Sequence, residues 1–257
     1  MRVAGAHIVI TGASRGIGAS LARELAARGA RVTLLARREG PLKELATQLD
    51  GHAVPVDLTS TDELDGLIGR IEDIAGPIDA LVNNAAVSVP GEFVKSSASE
   101  IRAQVLTNLA APMELCRQTI PRMIARGHGN LMAVSSISAE FALRNVASYA
   151  ASKAGLNQFQ VNLRRELKRT PIHVGLAILG GVETDMLVDG RRDPVIAAVD
   201  RRFRMLGALH PDNVATTLAD ALEQDRRTVL MPRVIAPSYH LRQVPSRLAD
   251  ALTWRID

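Results

Sequence analysis

The chain has 257 residues, 47% hydrophobic and only 3% aromatic, and Lys+Arg 31 against Asp+Glu 27 leave a net charge of +4. That is enough aliphatic material for one large packed domain, and scattered positive charge without a basic tract interleaved with aromatics argues against nucleic acid as a partner. One cysteine, Cys116, excludes an internal disulfide, no apolar run reaches the ~20 residues of a membrane span, and the histidines show no metal-ligand spacing.

Residues 7–11, His-Ile-Val-Ile-Thr, read as a buried strand. They run into Thr11-Gly12-Ala13-Ser14-Arg15-Gly16-Ile17-Gly18, and a helical pattern follows from Ala19 to Arg28, where Gly29 can stop it. Strand, glycine-rich turn and helix form a phosphate-binding arrangement: glycines let the backbone approach a pyrophosphate, and the helix N-terminus offers free N–H groups. The spacing is Gly-x-x-x-Gly-x-Gly, and a glycine turn alone is weak evidence; its flanks strengthen it. Candidate cofactor contacts here are Gly12, Ser14, Arg15, Gly16, Ile17 and Gly18.

A second strand, residues 31–35, leads to Ala36-Arg37-Arg38. A dinucleotide fold places an acid near here for a free ribose, or an arginine for a 2′-phosphate. Arg37 and Arg38 fit the second case; the alternative is a solvated charge pair. Helix from Leu42 to Leu49, strand from His52 to Val56 and then Asp57-Leu58 come next, followed by one helix from Thr61 to Ala75 capped by Ser60 or Thr61. A strand from Asp79 to Val82 delivers Asn83-Asn84-Ala85-Ala86, either a turn or a ligand contact.

A long helical region spans Ser97 to Arg126, with a kink expected at Pro112. Asn108 lies there among apolar neighbours, so its amide needs partners; Cys116 reads as packing. Asn130 to Val134 is a strand ended by Ser135-Ser136. A helix covers Ser148 to Arg169, a strand Pro171 to Leu179, and a loop Gly180 to Met186. Residues 183–210 read as a lid carrying Arg191, Arg192, Arg201, Arg202 and Arg204. These either attract an anionic substrate or form a solvated face paired with Asp189, Asp193 and Asp200. A helix at Pro211–Gln224 and a strand at Thr228–Met231 complete the pattern. Such alternation specifies an α/β fold: a single Rossmann-like, doubly wound parallel sheet of about seven strands with helices on both faces. Gly12, Arg37, Asp57, Asn83, Ser136 and Thr184 fall at strand ends, where such sheets bind ligands.

Tyr149 and Lys153 stand four apart in a helix, hence on one face. An ammonium beside a phenol favours the phenolate, which would let Tyr149 move a proton near neutral pH; the alternative is two neighbours without chemistry. Together, Thr11-Gly12-x-x-x-Gly16-x-Gly18, Asn83-Asn84-Ala85, Asn108, Ser136 and Tyr149-x-x-x-Lys153 resemble the short-chain dehydrogenase/reductase family, over about His7 to Met231. Ser136 lies thirteen residues before Tyr149, as in that family.

The resemblance implies a catalytic set of Asn108, Ser136, Tyr149 and Lys153. Tyr149 would be the acid/base, Ser136 would polarise the substrate, Lys153 would hold the nicotinamide ribose and lower the Tyr149 pKa, and Asn108 would bind a relay water. Asp57 and Leu58 would meet the adenine, Asn83 and Ala85 the adenosine side, and Val182 and Thr184 the nicotinamide end. Arg15 and Arg37 match positions that favour NADPH. Ala86 and Leu179 depart from the family's usual glycine and proline.

The expected activity is an NADPH-dependent carbonyl reductase, or alcohol dehydrogenase in reverse, on a small carbonyl or alcohol. The rivals are an epimerase or dehydratase on the same fold and a non-catalytic NADPH-binding sensor, which an intact Ser–Tyr–Lys set disfavours. Residues 1–236 would form the catalytic domain. In the 237–257 tail, Leu241, Val244, Leu248 and Leu252 with Arg242, Arg247 and Arg255 would pack on the domain or a partner subunit, or touch a membrane surface. A homodimer or homotetramer is expected through Leu109, Met113, Phe159 and Leu163. The N-terminus shows no signal peptide, so a cytoplasmic location is expected.

Overall fold

Short apolar runs bounded by turns give strands that can be covered on both faces. In the computed structural model, residues 1–204 and 208–236 are described, together with Tyr239. Strands β1 (His7–Thr11), β2 (Arg31–Ala36), β3 (His52–Pro55), β4 (Ala80–Asn83), β5 (Gly129–Ser136), β6 (Ile172–Leu179) and β7 (Thr228–Met231) form one sheet. Its order is β3-β2-β1-β4-β5-β6-β7, and every pairing is parallel.

The helices divide between the faces. On one side α1 (Gly16–Ala27), α2 (Glu39–Gln48) and α10 (Pro211–Glu223) pack through Leu21, Leu25, Leu42, Val214 and Leu218. On the other, α4 (Leu67–Ala75), α6 (Ala111–Arg126) and α7 (Ala147–Glu166) pack through Ile68, Ile71, Leu115 and Leu163. Leu163 was expected to face a partner subunit; it is 7% exposed, buried within its own chain, whereas Met113 is 43% exposed.

Three helical expectations change. The helix at 61–75 divides into α3 (Thr61–Leu64), whose first turn Ser60 caps by accepting from the Glu63 N–H, and α4, because Gly66 between them is left-handed, φ 62°. The 97–126 region is α5 (Ala98–Val105), a π turn at Leu106–Ala110, and α6. The expected disturbance therefore lies just ahead of Pro112, which has no N–H to offer the Asn108 carbonyl four residues back. The lid contains α8 (Asp185–Gly190) and α9 (Pro194–Arg204).

Tyr239 is buried against Leu156, Leu176 and Ile178. The tail's leucine and arginine stripe, from Leu241 onward, lies outside the described residues. Among the described residues no helix is long and apolar enough to cross a membrane.

Candidate active site

The strand order reverses between β1 and β4, and a sheet of this kind opens a crevice there. A cleft of about 480 Å³ occupies it, running from Arg37, Arg38 and Asp57, past Gly12 to Ile17, to Ser136, Tyr149 and Lys153, and on under the lid.

The first turn is built by close backbone approach. Gly12 has φ +68°, and a Cβ there would stand 2.7 Å from the Ala85 Cα. A Cβ on Gly18 would stand 2.4 Å from the Gly12 carbonyl oxygen, so Gly18 acts by packing α1 against the turn rather than by lining the cleft. No side chain caps the N-terminus of α1, which leaves N–H groups open to an anion. These features fit the pyrophosphate of a dinucleotide.

The amides at the end of β4 exchange roles. Asn83 is 3% exposed and its Nδ2 sits 3.5 Å from the Cys116 Sγ on α6. It does not line the cleft, contrary to expectation; Asn84, Ala85 and Ala86 do. The Asn84 Nδ2 donates to the Thr11 carbonyl at 2.9 Å, while the Asn84 and Ala85 N–H groups donate to the Thr11 Oγ1 at 3.0 Å each. Burial pushes the Cys116 thiol up to about 12, so it stays protonated.

Arg37 and Arg38 are exposed on the rim of the cleft. Partial burial acts to raise the Asp57 pKa, but hydrogen bonds from the Thr59 N–H and hydroxyl, with the Arg37 charge nearby, outweigh it and hold the carboxyl below its ordinary value. Arg15 reaches across the cleft instead of standing free: its Nη1 is 2.9 Å from the Asp185 Oδ2, with both side chains about half exposed. Such a pair is weak and readily exchanged.

Ser136 is the last residue of β5 and pairs with Leu179 of β6, so the sheet ladder fixes its backbone. Its Oγ accepts from the Ser138 N–H at 3.2 Å and hydroxyl at 2.9 Å, and it hydrogen-bonds the Tyr149 phenol. Lys153, one turn along α7, is 2% exposed; its Nζ lies 6.0 Å from the Tyr149 ring centroid and donates to the Val134 carbonyl at 2.8 Å. Burial raises the Tyr149 pKa by more than the Ser136 bond lowers it, and burial alone pushes Lys153 down to about 8. The net shift of Tyr149 is upward, where its spacing from Lys153 and the resemblance had led to a lowered pKa being expected.

Asn108 is fully buried and does not line the cleft. Its Oδ1 accepts from the Val87 N–H and its Nδ2 donates to the Val87 carbonyl, both at 2.8 Å, and to the Ser152 Oγ at 3.0 Å. Ser152 in turn donates to the Tyr149 carbonyl at 2.7 Å. The amide thus ties the floor of the cleft to the first turn of α7, and its bonds are spent there and not on the relay water expected of it.

Val182 forms a parallel bridge with Leu209, and Thr184 stands at the start of α8 with its hydroxyl on the Val182 carbonyl at 3.2 Å. Both line the cleft beside Tyr149 and Lys153.

Residues 6–194 match the family model for short chain dehydrogenases. The chain belongs to the short-chain dehydrogenase family. It is 33% identical over 233 residues to the ketoacyl reductase HetN of Nostoc sp., covering 88% of this chain and 78% of that protein. It is 31% identical over 224 residues to the 3-oxoacyl-(acyl-carrier-protein) reductase FabG of Escherichia coli, covering 85% and 91%. A metagenomic short-chain oxidoreductase solved in complex with NADP superposes with a TM-score of 0.75 at 32% identity, over 90% of this chain and 98% of that one. As a family member the chain is an NAD(P)-using oxidoreductase.

Ser138 and Ser152 escaped the sequence reading, whereas Thr11 and Asn84 stood in its motifs without their bonds to each other. Ser138 and Ser152 were findable by asking which neighbours hold the Ser136 hydroxyl and the Tyr149 turn; Asn84 and Thr11 needed the fold.

Proposed function

We propose that the chain is an NADPH-dependent carbonyl reductase, able to run in reverse as an alcohol dehydrogenase. The observation that carries this reading is a Tyr149 phenol hydrogen-bonded to Ser136 with Lys153 buried beside it, in a cleft whose far rim carries Arg37 and Arg38. The α1 N-terminus with Ser14, Gly16 and Ile17 would hold the pyrophosphate. Asp57, Leu58 and Ala85 would hold the adenosine, Arg37 principally the 2′-phosphate, Lys153 the other ribose, and Val182 and Thr184 the nicotinamide. When bound, NADPH supplies a hydride to the carbonyl carbon.

The protein's part is orientation and the proton. Tyr149 gives its phenolic proton to the carbonyl oxygen. The Ser136 oxygen already accepts two bonds from Ser138, so its single O–H is its only donor: it rests on the Tyr149 oxygen and turns to polarise the carbonyl when a substrate is present. Lys153, with its pKa near 8, carries charge at neutral pH and stabilises the phenolate left behind. We assign the face of Leu109, Met113 and Phe159 to a homodimer or homotetramer contact.

NADPH oxidation over a panel of ketones and aldehydes, wild type against Tyr149→Phe, tests this reading. The variant keeps the ring and loses the proton, so turnover should fall by ~10²–10⁴, with NADPH affinity by calorimetry kept within about threefold, roughly 0.7 kcal/mol. Near-wild-type turnover would falsify the acid/base assignment.

A further inference from the structure

The substrate end of the cleft has a chemistry of its own. Beyond Ser136 and Tyr149 its walls are Pro90, Leu143, Val146, Met186, Leu187 and Ile196. All but Val146 keep part of their apolar surface uncovered. Apolar side chains left open inside a concave site favour an apolar occupant, because covering them releases water from apolar surface.

The walls are tied to one another. The Gly91 N–H donates to the Asn145 carbonyl at 2.8 Å. The Asn145 Nδ2 donates to the Asp193 Oδ2 at 2.8 Å. The Asp193 Oδ1 accepts from the Val195 and Ile196 N–H groups at 2.9 and 3.1 Å, which caps α9. Loop, turn and lid are thereby joined around the opening. The segments that meet at Pro90 and Gly190 also carry the exposed apolar residues Phe93, Val94 and Val188.

Three of the lid's arginines, Arg191, Arg192 and Arg204, are held by lid carboxylates, and none of the lid's described arginines lines the cavity. Arg191 places its Nε 2.8 Å from the Asp200 Oδ2 and its other guanidinium edge on Glu183. Arg204 lies 3.3 Å from Asp200 and 3.8 Å from Glu183. Arg192 pairs with Asp189 at 3.0 Å. Asp200 does line the cleft, but its carboxylate is matched by two guanidinium groups. Among the described residues these apolar walls carry no cation, so a carboxylate or phosphate covered by them would lose its water uncompensated.

Resting on the carbonyl-reductase reading, we propose that the substrate is an uncharged ketone with predominantly apolar substituents, and that oxo acids and phosphorylated sugars are excluded. The first arm of the test uses the full chain with NADPH and matched pairs: acetophenone and its para-carboxylate, cyclohexanone and its ring carboxylate, methyl hexyl ketone and the same chain ending in a carboxylate. The neutral member should have the higher kcat/KM by at least ~10-fold in every pair that is turned over. The second arm is Leu187→Arg, which puts a cation on the wall. It should narrow that gap by about tenfold while NADPH affinity, read by calorimetry, is unchanged. Equal or better use of the acids by the wild type overturns the inference and leaves the reductase reading standing. NADPH binding without turnover of any member overturns both.

Discussion

The two ends of the cleft are built by different means. The cofactor end is made by backbone: the Gly12 N–H donates to the Leu35 carbonyl at 2.7 Å, Gly18 presses on the Gly12 carbonyl, and the strands below are held by ladders. The substrate end is made by side chains: Asn145 on Asp193, Arg191 on Glu183 and Asp200. A backbone site depends on small residues and close approach, so few substitutions fit it. A side-chain site can be rewritten one residue at a time, which is how one fold serves many substrates. Cofactor choice and substrate choice should therefore respond to separate sets of mutations.

The largest separation should come from the cofactor rim. Ala36 stands where an acid would repel a 2′-phosphate, and Arg37 can donate charge-assisted bonds to it. One such bond is worth about 1.5–3 kcal/mol, or roughly 10- to 150-fold in cofactor preference. Ala36→Asp with Arg37→Ala should reverse a preference for NADPH into one for NADH, with the ranking of ketones unchanged. Equal use of both cofactors by the wild type would defeat the Arg37 assignment.

A smaller effect belongs to the junction of the two ends. Burial holds the Lys153 pKa near 8, below the ~10.4 of an exposed lysine. Below pH 8 both folded and unfolded chains hold the proton, and the full penalty of burying an ammonium is present. As pH rises through 8, the folded chain releases the proton first, so stability rises until the unfolded chain follows near pH 10. Lys153→Met should stabilise the cofactor-free protein at pH 7 by on the order of 1–3 kcal/mol while abolishing turnover. That advantage should shrink between pH 8 and 10. Urea unfolding at several pH values checks this, and parallel curves for the two proteins would contradict it.

The smallest effect tests the lid. Arg191→Met leaves the buried Asp200 and Glu183 to Arg204 alone. A cost of about 1 kcal/mol, roughly fivefold, should appear in KM for a ketone, with NADPH affinity unmoved. A matching loss in NADPH affinity would show that the two ends are not independent.

What was legible in the sequence follows the same division. The β1 turn, Ser136 and the Tyr149–Lys153 pair are read from residue type and spacing, because strand, glycine and helical period leave direct marks. Asn83 and Asn84 were not separable: adjacent residues at a strand end point to opposite faces, and only the sheet decides that Asn84 meets β1 while Asn83 meets α6. The break at Gly66 and the π turn at 106–110 left only a glycine and Pro112 as signals. The lid arginines had two readings, and their pairing depends on α8 and α9 bringing Glu183 and Asp200 together. Leu163 shows a similar limit, since an apolar residue on α7 does not declare which face is covered.

The Asn108 amide has one more consequence. It grips both main-chain groups of Val87 and, through Ser152, the first turn of α7. It sits in the π turn between α5 and α6, whose neighbouring Leu109 lies against Gly155 of α7. In mechanical terms this is a pin through three members: cleft floor, the helix that carries Tyr149 and Lys153, and the outer helix that carries Met113. A load applied at the outer helix reaches Tyr149 through two side chains, with no loop between them to absorb it.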